Sequence, residues 1–183
     1  MKVAVLGIGN EMVADDGVAI HTVRLLRSVV PDTRVYCLES ERGGMDILDQ
    51  LEGFERAFVI DASCSGLHPA GTISRYVIRA PFGQTSPPSL HTVSLNAVLA
   101  LGSTTGLRLP EEVFIYTIEA TDIETFGAGC TERVQRAIPE AVSRLKADIL
   151  SILPDASCVP RQVESVHPFP PGPCTRTQVL KQR

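Results

Sequence analysis

The chain has 183 residues, a length that fits one domain with room for a hydrophobic core. Hydrophobic residues make up 44% and charged residues 21%, which is typical of a globular protein. The net charge of -4 argues against a nucleic-acid binder, because phosphate recognition requires a basic surface. No stretch approaches the roughly 18 apolar residues of a membrane span, and the short apolar start predicts no export signal. We therefore expect a cytoplasmic protein.

The five cysteines are expected to be free thiols. Their number is odd, and no two of them form a C-x-x-C pair. The spacing of cysteine and histidine also matches no usual structural zinc site.

Strand and helix patterns alternate up to residue 153. Short apolar runs predict strands at 2–6, 34–38, 57–60, 71–78 and 113–118. Helical spacing predicts helices at 18–30, 44–51, 90–101 and 132–153, the last with Thr131 as its N-cap and a kink at Pro139. This alternation predicts a mostly parallel sheet with helices on both faces, in which 71–78 is an edge or antiparallel strand.

The composition changes sharply at Pro154. Residues 154–183 contain six of the thirteen prolines, one aromatic residue and a net charge of +2. Such a segment buries too little apolar surface to offset its ordering entropy, so we predict a disordered tail. The predicted α/β domain is therefore 1–153.

A glycine-containing turn follows the first predicted strand. Gly7-Ile8-Gly9-Asn10 resembles the start of a dinucleotide-binding fingerprint, but Met12 stands where that pattern requires a third glycine. The adjacent Asp15 and Asp16 would repel a pyrophosphate at the helix start. Nucleotide binding is therefore a weak alternative. Aspartate is also a favoured helix cap, and we assign Asp15 to capping and Asp16 to a functional site.

Two further polar residues are candidates for the same site. Asp61 directly follows the apolar run 57–60, and a charge at the end of a buried strand is costly unless it has a partner or faces a cleft. His91 stands at the start of the predicted third helix, where the helix dipole favours the neutral imidazole. Two carboxylates and one imidazole suit a divalent metal such as nickel or zinc. Alternatively, Asp16 and Asp61 activate water as an aspartic-type pair, although the Asp-Thr/Ser-Gly signal of pepsin-like enzymes is absent.

These motifs together resemble the hydrogenase maturation proteases, endopeptidases that trim the large subunit of nickel–iron hydrogenases. The matching residues are Gly7-x-Gly9-Asn10, Asp15-Asp16-Gly17, Asp61-Ala62, Pro69-Ala70-Gly71-Thr72, and His91 with Ser94-Leu95. The resemblance extends from Met1 to about Leu153. It implies a three-layer α/β/α fold of the phosphorylase/hydrolase-like kind.

The resemblance also implies a function. Such a protease recognises nickel already inserted into the large-subunit precursor and then removes the C-terminal extension of that precursor. By position, Asp16, Asp61 and His91 match the three metal-contacting residues of the family, and the nickel is supplied by the substrate. Two departures are visible. The first residue is often glutamate in the family, and Ser40-Glu41-Arg42 replaces a frequent Gly-Gly-Thr in the substrate loop.

Three hypotheses follow from the sequence. The first is a metal-guided endopeptidase in which Asp16, Asp61 and His91 are both catalytic and metal-contacting. The second is a non-catalytic nickel-binding maturation chaperone on the same fold, although no His-rich tract supports it. The third is the nucleotide-binding enzyme.

Overall fold

A five-stranded sheet forms the centre of the domain in the computed structural model, which describes residues 1–83, 95–127 and 129–153. The strands are β1 (Val3–Ile8), β2 (Val35–Ser40), β3 (Arg56–Ser63), β4 (Ile73–Arg79) and β5 (Glu112–Glu119). The helices are α1 (Val18–Val29), α2 (Asp46–Leu51), α3 (Leu95–Thr104) and α4 (Glu132–Ile152). A 3₁₀ turn, Ala14–Gly17, leads directly into α1.

The strand order is β2-β1-β3-β5-β4. All neighbouring strands are parallel except β4, which pairs antiparallel with β5 at the edge of the sheet. This arrangement confirms the predicted mostly parallel sheet and its antiparallel edge strand. It also brings the carboxyl ends of β1, β3 and β5 together at one edge of the sheet, which we call the carboxyl edge.

Helices cover both faces of the sheet. On one face α1 and α4 pack against Phe58 and its neighbours, with Leu26 and Leu145 fully buried. On the other face α2 and α3 pack against Val59, with Leu51 and Leu99 fully buried. Inward residues therefore alternate between two separate cores along each central strand, which explains why the strands read as continuous apolar runs. The predicted three-layer fold is confirmed.

Most predicted elements lie within a few residues of their observed bounds. The strand predicted at 57–60 is longer, because its pairing with β1 continues to Asp61 and its pairing with β5 to Ser63. Helix α4 is assigned without interruption through Pro139. Residues 90–94 of the predicted third helix and the whole predicted tail lie outside the described residues. Among the residues that the structure describes, no helix has both the length and the apolar character needed to cross a membrane.

Glycines at the end of β1 allow the 3₁₀ turn to lie directly on the strand. A Cβ added at Gly9 would stand 2.0 Å from the carbonyl oxygen of Asp16, and the φ angle of Gly9 is +151°. A Cβ at Gly17 would stand 2.8 Å from the Cα of Glu11. The glycines are therefore required by close contact between two backbones, which places Asp16 at the carboxyl edge.

We predict that Gly9→Ala destabilises the protein by more than about 2 kcal/mol, because the added Cβ would overlap a backbone carbonyl, which cannot move aside as a flexible side chain does. The measurement is the free energy of unfolding from urea denaturation. Gly53→Ala is the matched control, since Gly53 also has a positive φ, +80°, but no atom within 4 Å of an added Cβ. The control is expected to lose only the roughly 1–2 kcal/mol of left-handed backbone strain. Equal losses in the two variants would contradict the role assigned to the Gly9 contact.

Candidate functional site

Buried polar side chains are concentrated at the carboxyl edge. Asp61 on β3 is fully buried, between Ile8 of β1 and Thr117 of β5 in the register of the sheet. Ser63 and Glu119, the last residues of β3 and β5, are paired with each other in the register, and both are buried. Burial of this many polar groups is costly in free energy unless each has a hydrogen-bond partner, so packing alone does not explain their presence at this edge.

The side chain of Asp61 projects to the face that α2 and α3 cover. Its register partner Ile8 and the residue two positions earlier, Val59, both belong to the core of that face. Side chains alternate along a strand, so Asp61 shares their direction. Leu95, the first residue of α3, is buried in the same core. Asp61 therefore faces the side of the sheet on which α3 begins.

Asp16 occupies the 3₁₀ turn at the end of β1 and is 8% exposed. Its Oδ2 accepts a hydrogen bond of 2.8 Å from the backbone N–H of Asn10. The Oδ1 of Asn10 in turn accepts a bond of 2.9 Å from the N–H of Met12, which closes a local turn. Asn10 thus has a structural reason to follow Gly9: it shapes the loop that presents a backbone donor to Asp16.

The predicted capping role of Asp15 at the first helix is wrong. Gly17 is the N-cap of α1, and no side chain bonds to that helix start. The fully buried carboxylate of Asp15 instead accepts hydrogen bonds from Thr121, Asp122 and Thr131, which belong to the connection between β5 and α4. Thr131 does occupy the N-cap position of α4, but its hydroxyl oxygen accepts no capping hydrogen bond from the helix, and the hydroxyl donates to Asp15 instead.

The surroundings of Asp15 favour its ionised form. Burial alone would raise the pKa of this carboxyl group. The backbone N–H groups of Thr121, Asp122 and Thr131 and the Thr131 hydroxyl act in the opposite direction, and the net effect holds the pKa below its ordinary value. Asp15 is therefore a buried, charged anchor at neutral pH.

A second buried acid holds the loop after β3. Both carboxylate oxygens of Glu119 accept from the Ser65 hydroxyl, at 2.9 and 3.0 Å, and Oε1 also accepts from the N–H of Gly66 at 2.8 Å. Sequence reasoning missed Ser63, Thr117 and Glu119. Asp61 was identified because it is a polar residue at the carboxyl end of a buried strand. The same criterion applies to Thr117 and Glu119 and would have identified them as well.

His91 lies outside the described residues, so the predicted grouping of Asp16, Asp61 and His91 stays a prediction. Within residues 1–83, 95–127 and 129–153, no three His, Cys, Asp or Glu side chains are grouped so that they could hold a metal ion. Asp16 and Asp61 themselves are both buried at the carboxyl edge, and the 3₁₀ turn packs against β3.

The cysteines of the described part are free, as predicted: Cys37, Cys64 and Cys130. Burial, and secondarily the charge of Asp15, raises the pKa of the Cys130 thiol to about 11. Burial likewise raises the pKa of the Cys37 thiol. Both thiols are therefore protonated at neutral pH and unsuited to act as nucleophiles.

A small acidic cleft of about 170 Å³ opens beside Gly9, between β1, α1 and the end of β2. Its lining includes Glu11, Glu39 and Glu41, together with Arg24, which forms ion pairs with Glu11 and Glu39. The hydrogen bond with Arg24 lowers the pKa of Glu11. Glu41, which follows Ser40 at the end of β2, thus lines a cleft that also includes Gly9.

Nucleotide binding at the end of β1 loses support from the same geometry. A dinucleotide fingerprint uses its glycines so that a pyrophosphate can approach the backbone. Here the space above Gly9 is filled by the backbone of Asp16.

Comparison with known proteins assigns the family. The model of the hydrogenase maturation protease family matches residues 20–147, a range that includes Asp61 and His91 and begins just after Asp16. The hydrogenase expression/formation protein HupM of Azotobacter chroococcum is 30% identical over 148 residues, 78% of this chain and 68% of that protein. HupD of Thiocapsa roseopersicina is 29% identical over 146 residues, 77% of this chain, and the chain spans 64% of its length.

Solved structures show the same fold. The hydrogenase maturating endopeptidase HybD of Escherichia coli superposes with a TM-score of 0.64 at 22% identity, over 82% of this chain and 93% of that one. A second solved endopeptidase from Escherichia coli gives a TM-score of 0.67 at 21% identity, with the same coverage. Because the family model matches well over half of its residues, the chain belongs to the hydrogenase maturation protease family.

Proposed function

We propose that the protein is an endopeptidase that removes the C-terminal extension of a nickel–iron hydrogenase large-subunit precursor after nickel insertion. The observation that carries the proposal is the burial of Asp16 and Asp61 at one edge of the sheet of a chain of this family. The edge is where parallel α/β sheets bind their ligands. The cytoplasmic location predicted from the sequence is part of this proposal and stays a prediction.

The donor chemistry fits a divalent metal carried by the substrate. Two carboxylates supply oxygen and one imidazole supplies nitrogen, a set that suits nickel and other first-row divalent ions. Topology supports the participation of His91, because it lies four residues before α3, and α3 begins on the face toward which Asp61 projects. Nickel belongs to the precursor in this proposal, so the protease recognises it without retaining it.

Asp16 and Asp61 have two roles in the proposed reaction. Their charges attract the metal-bearing segment of the precursor and fix the scissile bond relative to the carboxyl edge. Either carboxylate could also accept a proton from the attacking water, as in an aspartic-type pair. The precursor's metal supplies Lewis acidity when it is bound. His91 in its neutral form completes the contacts to the substrate.

Trimming is expected to depend on the nickel content of the precursor. Incubation with the nickel-loaded large-subunit precursor is expected to yield the trimmed subunit, whereas the nickel-free precursor stays intact. Mass spectrometry of the large subunit measures the loss of its C-terminal extension. Absence of trimming in both samples would overturn the proposal, and stable nickel binding without trimming would favour the chaperone hypothesis.

Trimming is also expected to depend on the imidazole of His91. His91→Ala is expected to reduce trimming by at least about 100-fold while the unfolding midpoint stays near that of the wild type, since a metal contact is lost. His68→Ala is the matched control, because His68 is exposed on the loop after β3, and we expect it to trim at the wild-type rate. Full activity of His91→Ala would remove His91 from the site.

A further inference from the structure

Five hydrogen bonds converge on the buried carboxylate of Asp15. Its Oδ2 accepts from the N–H of Thr121 at 2.9 Å, the N–H of Asp122 at 3.0 Å, and the hydroxyls of Thr121 and Thr131 at 3.3 and 3.1 Å. Its Oδ1 accepts from the N–H of Thr131 at 2.6 Å. The donors are more than a hundred residues away in sequence, so this carboxylate joins two distant parts of the chain.

Backbone hydrogen bonds extend the same junction along the 3₁₀ turn. The N–H of Asp15 donates to the carbonyl of Asp122 at 2.8 Å, and the N–H of Ala14 donates to the carbonyl of Thr125 at 3.0 Å. The N–H of Gly127 donates to the carbonyl of Met12 at 2.7 Å. The turn that carries Asp16 is therefore bonded on one side to the connection between β5 and α4.

The turn has little internal support of its own. It contains four residues, and no side chain caps either of its ends. A 3₁₀ segment of this length makes few and poorly aligned internal bonds, so external contacts determine its conformation. On one side the external contacts are the hydrogen bonds of Asp15 and of the backbone to the connection between β5 and α4. On the other side they are the contacts with Gly9 and Asn10.

We propose that Asp15 is a positioning residue that fixes the carboxylate of its neighbour Asp16 by binding the connection between β5 and α4. Asp15 does not contact the substrate in this account; it acts through Asp16. The inference rests on the proposed function for its activity measurement, and its structural measurement is independent of that function.

Asparagine cannot replace Asp15 in either orientation of its amide. Backbone N–H groups point at both carboxylate oxygens, Thr131 at Oδ1 and Thr121 with Asp122 at Oδ2. An amide presents one oxygen and one NH₂ group, so one of these sites would always place N–H against N–H. Asp15→Asn keeps the size of the side chain, replaces one acceptor oxygen with an NH₂ donor and removes the negative charge.

The structural test follows the amide proton of Asn10, which bonds to the Asp16 carboxylate and does not touch Asp15. In Asp15→Asn we expect an upfield shift of this proton in NMR spectra and faster hydrogen exchange. Asp49→Asn is the matched control, because Asp49 is exposed on α2, and it should leave the Asn10 amide unchanged. An unchanged Asn10 amide in folded Asp15→Asn would overturn the proposal whether or not the protein trims the precursor.

The activity test compares kcat and KM for trimming of the nickel-loaded precursor. Asp15→Asn is expected to lower kcat by about 10- to 100-fold and to change KM by less than about threefold, because the reacting carboxylate is displaced. Leu145→Ala serves as a control for lost stability, since Leu145 is buried on α4 and has no hydrogen bond to the turn. Wild-type kcat in folded Asp15→Asn, or an equal loss in Leu145→Ala, would overturn the proposal.

A milder variant keeps the test available if Asp15→Asn fails to fold. Thr131→Val removes only the hydroxyl donor, at 3.1 Å from Asp15, and keeps the shape of the side chain. We expect it to shift the Asn10 amide in the same direction and to lower kcat about three- to tenfold. No effect of Thr131→Val on either quantity would contradict the proposal. If the wild type fails to trim, the proposed function falls, and the Asn10 amide alone decides the role of Asp15.

Discussion

The 3₁₀ turn carrying Asp16 lies on the end of β1 with no side chain between the two backbones. Gly9 makes this contact possible, because its missing Cβ leaves the space that the Asp16 carbonyl fills. Because of this contact, the N–H of Asn10 reaches the Asp16 carboxylate. The turn also leads directly into α1. The contact also places Asp16 at the edge of the sheet where Asp61 lies buried near the end of β3.

Four acidic side chains are buried at or near the carboxyl edge. Asp15 and Glu119 each receive hydrogen bonds from the N–H and O–H groups of a loop, so they order the connections around the site. Asp16 and Asp61 are the pair that the proposal assigns to the substrate. A cluster of carboxylates at one edge creates a negative potential that favours a bound cation. A metal-bearing segment of a precursor is the kind of ligand that such an edge attracts.

Sequence patterns predicted the layers of the fold because burial on both faces makes parallel strands uniformly apolar. Asp61 could be identified from the sequence as well, since burying a charge at the end of such a strand costs free energy unless the charge has a partner or a function. The role of Asp15 could not, because its donors Thr121 and Thr131 come from the other end of the domain. Local rules favoured a cap for the adjacent helix, and the tertiary partners prevailed. The sequence marks the glycine-containing turn after β1 as unusual, but only the structure shows that Gly9 leaves space for the backbone of Asp16 rather than for a phosphate.

Asp16, Asp61 and His91 are proposed to contact one metal ion at the carboxyl edge. A crystal structure of the protein in complex with its nickel-loaded precursor, with the metal located by its anomalous scattering, would show whether these contacts exist. We expect one nickel ion, carried by the precursor, with carboxylate oxygens of Asp16 and Asp61 and an imidazole nitrogen of His91 at about 2.0 to 2.2 Å. Nickel in contact with other residues of the protease, or a His91 ring on the opposite face of the sheet from Asp61, would exclude this site.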